Sequence, residues 1–179
     1  MNRFIEGAQI YLRAITAEDA TDEYLSWIND PETTRGLATG AFPSTIEDLK
    51  KYIAEVSNGR KAIMLAICDT HNNTHIGNIK LDQFDWINRT CELGLLLGNK
   101  TYWGKGIGTE VCRLTLHHAF TKLNLRKVVL AVYANNPGAI KLYERIGFKH
   151  EGCLRKQIFC DGEYIDKYYM GIFSEELTR

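Results

Sequence analysis

The stretch Tyr102 to Phe120, YWGKGIGTEVCRLTLHHAF, sets three glycines at alternate positions, Gly104, Gly106 and Gly108, directly before a long run with helical periodicity. Few folds have a use for that arrangement. Glycine permits φ > 0 and leaves no Cβ between a ligand and the backbone N–H groups. A helix that begins there adds unpaired donors and a partial positive charge. The expected product is an anion site, most often for phosphate; the other reading is a tight strand-to-helix turn that binds nothing.

Two common phosphate motifs do not fit. Gly98 and Gly104 are separated by five residues where a P-loop has four, and Gly106 stands where Ser or Thr would hold Mg²⁺. The spacing G-x-G-x-G, with no acidic residue placed after a second parallel strand, also departs from the dinucleotide fingerprint.

The flanking chain supplies a frame for the loop. QIYLRAI alternates as a strand, and Thr16 with Asp19 caps a helix carrying Ala20, Tyr24, Trp27 and Ile28, which stops near Pro31. ETTRGLATGAFP reads as loop, and Ser44 with Glu47 as a capping box opening a second helix to about Val56. AIMLAIC, HIGNIKL and CELGLLLG form an antiparallel meander. The glycine-led helix runs from about Gly106 to Leu123. KVVLAVY is a buried strand, NPGAIKLYERIGF a helix closed by Gly147, and the last two runs a hairpin turning at Asp161-Gly162. The order β-α-α-β-β-β-α-β-α-β-β predicts an α/β fold, a mixed central sheet with helices on both faces.

Composition removes several classes of function. The 179 residues, 45% hydrophobic and 25% charged, have the profile of one soluble domain over 1–179. Basic and acidic side chains both number 22, so no whole-chain field favours nucleic acid or an anionic membrane. Five cysteines without C-x-x-C spacing suit reduced thiols. MNRFIEGAQI lacks an apolar signal core, so a cytoplasmic location is expected. His71 and His75 lie in a polar turn with no third ligand, and no metal is expected.

WGKGIGTE after ELGLLLG, followed by NNPGAIKLYERIGF, resembles the GNAT superfamily of acetyl-CoA-dependent N-acetyltransferases, and looks most like its RimJ/RimL-type branch. The resemblance covers nearly the whole chain. It implies that Gly104, Lys105, Gly106, Ile107, Gly108 and Thr109 hold the CoA pyrophosphate through backbone N–H groups. Trp103 stands where the family usually has Gln or Arg, so the cradle carries over but a side-chain contact from that position does not follow. The strand around Leu95, Leu96 and Leu97 is implied to splay from its neighbour and pair with the pantetheine arm; periodicity alone reads these leucines as core. Asn136, Ala139 and Tyr143 match the second motif, although Asn136 before Pro137 also reads as an ordinary N-cap.

Acetyl transfer to an amine needs a neutral nucleophile and help for the departing thiolate. Tyr143, with a reference pKa near 10, is the expected acid, and Glu92, eleven residues before Trp103, the expected base. Both also have plain structural readings, as a half-buried helix tyrosine and a strand carboxylate. Neutralising a lysine-like amine at pH 7 costs about 4–5 kcal/mol and an α-amine about 1 kcal/mol, which leans toward a less basic acceptor.

The resemblance places the acceptor between the early helices and the final hairpin, near RGLATGAF, FDWINR and KQIFCDGEYIDKYY. Their mixture of aromatics and both charge signs does not resemble an acidic funnel for polyamines. It suits a polar, partly aromatic amine such as a nucleotide-linked amino sugar, or a protein N-terminus. A non-catalytic acyl-CoA-binding module is the alternative from another class, and the edge strands of the hairpin offer a surface through which a homodimer can pair.

Overall fold

The computed structural model describes residues 2–37, 39–57 and 61–177. Its strands are β1 (Ile5–Glu6), β2 (Ile10–Ala14), β3 (Ile63–Asp69), β4 (His75–Asp85), β5 (Thr90–Leu97), β6 (Lys127–Tyr133), β7 (Lys149–Cys160) and β8 (Glu163–Phe173). They form one sheet in the order β1-β2-β3-β4-β5-β6-β8-β7, antiparallel except where β5 meets β6. Its helices are α1 (Asp22–Asn29), α2 (Pro31–Thr34), α3 (Ile46–Ser57), α4 (Ile107–Thr121) and α5 (Pro137–Ile146).

Alternation along the strands assigns the two faces. In β5, Leu93, Leu95 and Leu97 belong to the core beneath α4 and α5, where Val111, Leu116, Leu130, Ile146 and Met170 are buried. Leu96 points the other way, toward Tyr24, Trp27, Ile28, Leu49 and Ile53 of α1 and α3. The mixed sheet with helices on both faces is therefore as expected from the element order.

Four local details differ from the sequence reading. A two-residue strand, β1, precedes β2. Thr16 and Asp19 do form a capping box, but around a 3-10 turn, and Thr21 caps α1 by accepting from Tyr24 N. Pro31 ends α1 and also begins α2, where Asp30 accepts from the Glu32 and Thr33 amides. The second capping box is Thr45 with Asp48, not Ser44 with Glu47, because the Asn29 amide clamps both backbone groups of Ser44. Ala38, inside the expected loop, lies outside the described residues.

Glu110, at the end of the glycine motif, has an architectural task. Its carboxylate accepts from the Ala8 and Gln9 amides and the Gln9 side chain, fastening the turn before β2 to the first turn of α4. A buried Arg13–Asp19 pair, with nitrogen-to-oxygen distances of 2.8 and 2.5 Å, ties β2 to the segment entering α1. Cys68, Cys91 and Cys112 are buried free thiols, as core cysteines should be.

Candidate active site

Parallel pairing between β5 and β6 ends at Glu92 opposite Val129. Beyond that pair the strands diverge, and Leu93 to Leu97 line one side of a cleft of about 660 Å³ while Ala131 and Val132 line the other. The backbone of β5 therefore has unpaired hydrogen-bonding groups facing the gap. Alternation decides which ones. Gly98 N donates to Ile76 O of β4, so Leu96, two residues earlier, also turns its backbone groups toward β4. Leu93, Leu95 and Leu97 turn theirs into the gap. Leu96 thus lines the cleft but is not arranged like Leu95 and Leu97 for pairing with a ligand.

The glycine loop closes the wide end of this cleft. Gly104 and Gly106 have φ of 72° and 82°, and a Cβ built on either meets nothing within 4 Å. Backbone conformation and open space are the reasons for glycine there. Gly108 has a different reason: its added Cβ would lie 2.7 Å from Leu142 Cδ1, so it lets α4 approach α5. The first-turn N–H groups of α4 lack intrahelical acceptors and face the cleft through Ile107, Gly108 and Thr109. An anionic diphosphate fits this cradle, and Arg35, Lys141 and Arg145 line the same cleft with positive charge. Lys105 is not among the lining residues; its ammonium stands over the Tyr102 ring at 5.8 Å.

Trp103 donates its indole N–H to Leu97 O at 2.7 Å, joining the loop to the splayed strand. Asn136 caps α5, its side-chain oxygen accepting from Ala139 N at 3.1 Å. The capping reading therefore accounts for that oxygen, although Asn136 and Ala139 both line the cleft. Tyr143, 7% exposed, sits on the same helix face as Ala139 and packs edge-on against Phe148. Burial, with a smaller contribution from Cys112, pushes its hydroxyl pKa up, so it stays protonated.

Glu92 projects from the opposite face of the sheet, at the apex of the gap. It pairs across strands with Asp82 and Val129, and its carboxylate accepts from Gln83 Nε2 at 2.9 Å. Burial raises its pKa, the neighbouring Asp82 adds to that, and Lys167 and Lys80 oppose it. Glu92 does not line the cofactor cleft. A second cavity of about 680 Å³ begins beside it, walled by Asp82, Gln83, Phe84 and Trp86 from β4 and the turn after it, and by Tyr52 and Glu55 from α3. Phe84 and Trp86 stack with planes 4° apart. Of the segments expected around the acceptor, only FDWINR reaches this cavity; Arg35, Gly36 and Leu37 line the cofactor cleft, and no hairpin residue lines either.

His75 starts β4 and is half-buried against Tyr24 and Trp27, bonding Gly77 O and Asn78 Oδ1, so it is not a solvated turn residue. Among the described residues no group of three potential metal ligands occurs, and no helix is long and apolar enough to cross a membrane. Lys141 and Arg145 are not among the residues the sequence marks, and Arg35, expected near the acceptor, lines the cofactor cleft instead. The i, i+4 spacing of Lys141 and Arg145 around Tyr143 was the available signal.

A split parallel strand pair, a phosphate cradle at its wide end and a buried tyrosine define an acyl-CoA-dependent transferase. The chain belongs to the acetyltransferase (GNAT) domain family, whose model matches residues 9–149. It is similar to a prophage-derived, uncharacterized N-acetyltransferase of Bacillus subtilis, 31% identical over 171 residues, 95% of this chain and 93% of that protein. It is 29% identical to the spermidine N(1)-acetyltransferase of Vibrio cholerae over 176 residues, 96% of this chain and 98% of that protein. A crystal structure of Vibrio cholerae spermidine N-acetyltransferase in complex with CoA and spermine superposes with a TM-score of 0.85 at 26% identity, covering 94% of this chain and 97% of that one. The chain is an acetyl-CoA-dependent N-acetyltransferase, and its acceptor is an amine.

Proposed function

We propose that the chain acetylates a primary amine of a small, cationic molecule of the polyamine type, which reaches Glu92 from the cavity beneath α3. The observation that carries this reading is the wall of that cavity: Tyr52, Phe84 and Trp86 beside the carboxylates of Glu55 and Asp82, the latter paired with Lys80 at 2.6 Å, with Lys61 also on the wall. Aromatic faces and carboxylates together suit an alkyl ammonium. Similarity to spermidine acetyltransferases over nearly the full length supports the same class.

Acetyl-CoA supplies the activated acetyl group, held by the backbone from Gly104 to Thr109 and by Leu95 and Leu97. Glu92, directly or through water, takes a proton from the amine as the new C–N bond forms and the C–S bond breaks. A carboxylate whose pKa is raised toward neutrality is a better base, which a strongly basic amine requires. Tyr143 donates a hydrogen bond to the departing sulfur. A phenol held protonated by burial gives up no full proton cheaply, and a thiolate of pKa about 8–9 does not need one.

The stacked Phe84–Trp86 pair supports a second reading, a nucleotide-linked amino sugar whose base lies on the exposed face of Trp86. A protein N-terminus, in keeping with a RimJ/RimL-type subfamily, is the third acceptor to test. Thiol release with spermidine, a nucleotide-linked amino sugar and a free-N-terminus peptide separates them. We expect spermidine to lead, and Glu92→Gln to cut that turnover by roughly 10²-fold. No thiol release with any amine, despite acetyl-CoA binding, would favour a non-catalytic acyl-CoA-binding module.

We also infer a homodimer, since β7 leaves one edge unpaired along 12 residues that are nearly all exposed. Light scattering that gives a monomer mass would oppose it. The buried free thiols support a reducing, cytoplasmic setting.

A further inference from the structure

Among the described residues, six that are not glycine have positive φ: Asn73, Gln83, Arg89, Asn124, Lys156 and Asp161. Four lie in turns or loops, where such backbone is ordinary. Gln83 and Lys156 lie within strands, each at a register shift, between Asp82 and Asp85 in β4 and between Leu154 and Ile158 in β7. The Lys156 bulge is accounted for through its backbone, because its amide donates across the hairpin to Asp166 Oδ1 at 2.8 Å. The Gln83 bulge is marked instead by its side-chain bond, and glutamine has no preference for the left-handed region at φ 49°.

What the bulge does is aim a side chain. Gln83 Nε2 donates to Glu92 Oε2 at 2.9 Å, across the strand pair and at the residue where β5 and β6 part. The same residue lines the cavity beneath α3. We propose that Gln83 is a positioning residue for acetyl transfer: the left-handed bulge exists to place its amide on the Glu92 carboxylate and to hold that carboxylate at the apex of the gap. Strained backbone maintained beside a reacting group is a recognised functional device.

The charged groups around Glu92 are Asp82 and Lys80 from β4 and Lys167 from β8. Burial and Asp82 favour the protonated form, and the lysines oppose them. An amide that donates to the carboxylate favours the ionised form. By that bond Gln83 orients Glu92 and favours its ionised, base-competent form. The inference rests on the reading of Glu92 as the base.

The test uses the full chain labelled with ¹³C-glutamate, with the Glu92 Cδ signal assigned by its loss in Glu92→Gln. Gln83→Gly removes the side chain while accepting the left-handed backbone, and Gln83→Asn keeps an amide that tolerates that backbone but cannot reach as far. Both variants should raise the Glu92 titration midpoint by about half a unit to one unit, with Gln83→Gly melting no lower than wild type. An unmoved midpoint in folded Gln83→Gly overturns the assignment. Turnover by Glu92→Gln, measured with an amine the wild type uses, spermidine first, checks the underlying reading separately. Full activity there removes the catalytic purpose of the bond even if the midpoint moves.

Discussion

The indole of Trp103 and the carbonyl of Leu97, 2.7 Å apart, join the two halves of the cofactor cleft. One belongs to the glycine loop, the other to the strand that splays from β6. Trp103 occupies the position where the family pattern carries Gln or Arg, and here its side chain serves the protein's own backbone. It also withdraws one carbonyl from the groups that β5 turns into the gap.

Trp103→Phe keeps an aromatic ring and loses the donor. With Trp103 37% exposed, the lost bond is worth about 1 kcal/mol, or about 2–4 °C in melting temperature for a chain of this size. Loosening the loop relative to β5 should also weaken acetyl-CoA severalfold in calorimetric titration. Unchanged affinity and stability would show that the bond holds nothing in place.

Gly106→Ala and Gly108→Ala separate two uses of glycine. At Gly106 the added methyl meets open space but must adopt φ 82°, costing about 1–2 kcal/mol and covering the backbone donors. Acetyl-CoA affinity should fall by tenfold or more. At Gly108 the methyl presses on Leu142, so stability should fall first, by about 1–3 kcal/mol. Thermal melts with and without acetyl-CoA should show ligand stabilisation lost mainly in the Gly106 variant.

Much of the fold was open to reading from pattern. The helix after Gly106, the meander, the apolar strand Lys127–Tyr133 and the Asp161-Gly162 hairpin all follow from periodicity and turn chemistry. The segment Ser44-Thr45-Ile46-Glu47-Asp48 contains two overlapping capping boxes, and only the long-range clamp from Asn29 chooses between them. The same limit applies at the site. The glycine cradle and Tyr143 are marked by local motifs. The Gln83–Glu92 bond depends on a bulge that no local propensity announces.

The buried Arg13–Asp19 pair gives a stability prediction. Burial alone would raise the Asp19 pKa, but Arg13 and the Thr16 amide more than offset it, leaving the carboxyl below its usual value. A depressed carboxylate contributes stability above its unfolded pKa of about 3.9, and that stability is lost as pH falls through the lower folded value. Asp19→Asn leaves a buried guanidinium uncompensated and should cost about 3–5 kcal/mol in urea unfolding at pH 7. A cost near zero would mean that Arg13 finds another partner.

His75 should act at higher pH. Its burial disfavours the charged ring and depresses its pKa, so the unfolded chain binds the proton more readily. Stability should therefore begin to fall as pH drops below about 6.5, before the carboxylates titrate. The urea midpoint at pH 5 should lie below that at pH 7 in wild type, and His75→Gln should shrink the difference. An equal difference in both proteins would assign the effect elsewhere.

The most direct test of the account is acetyl-CoA-dependent thiol release by wild type and Tyr143→Phe with the same primary amine, alongside acetyl-CoA binding by calorimetry. Wild type should give thiol and N-acetylated amine in equal amounts, the variant should lose about 10²-fold in turnover, and the two acetyl-CoA affinities should agree within about twofold. Equal turnover in the two proteins would contradict a role for the Tyr143 hydroxyl at the departing sulfur.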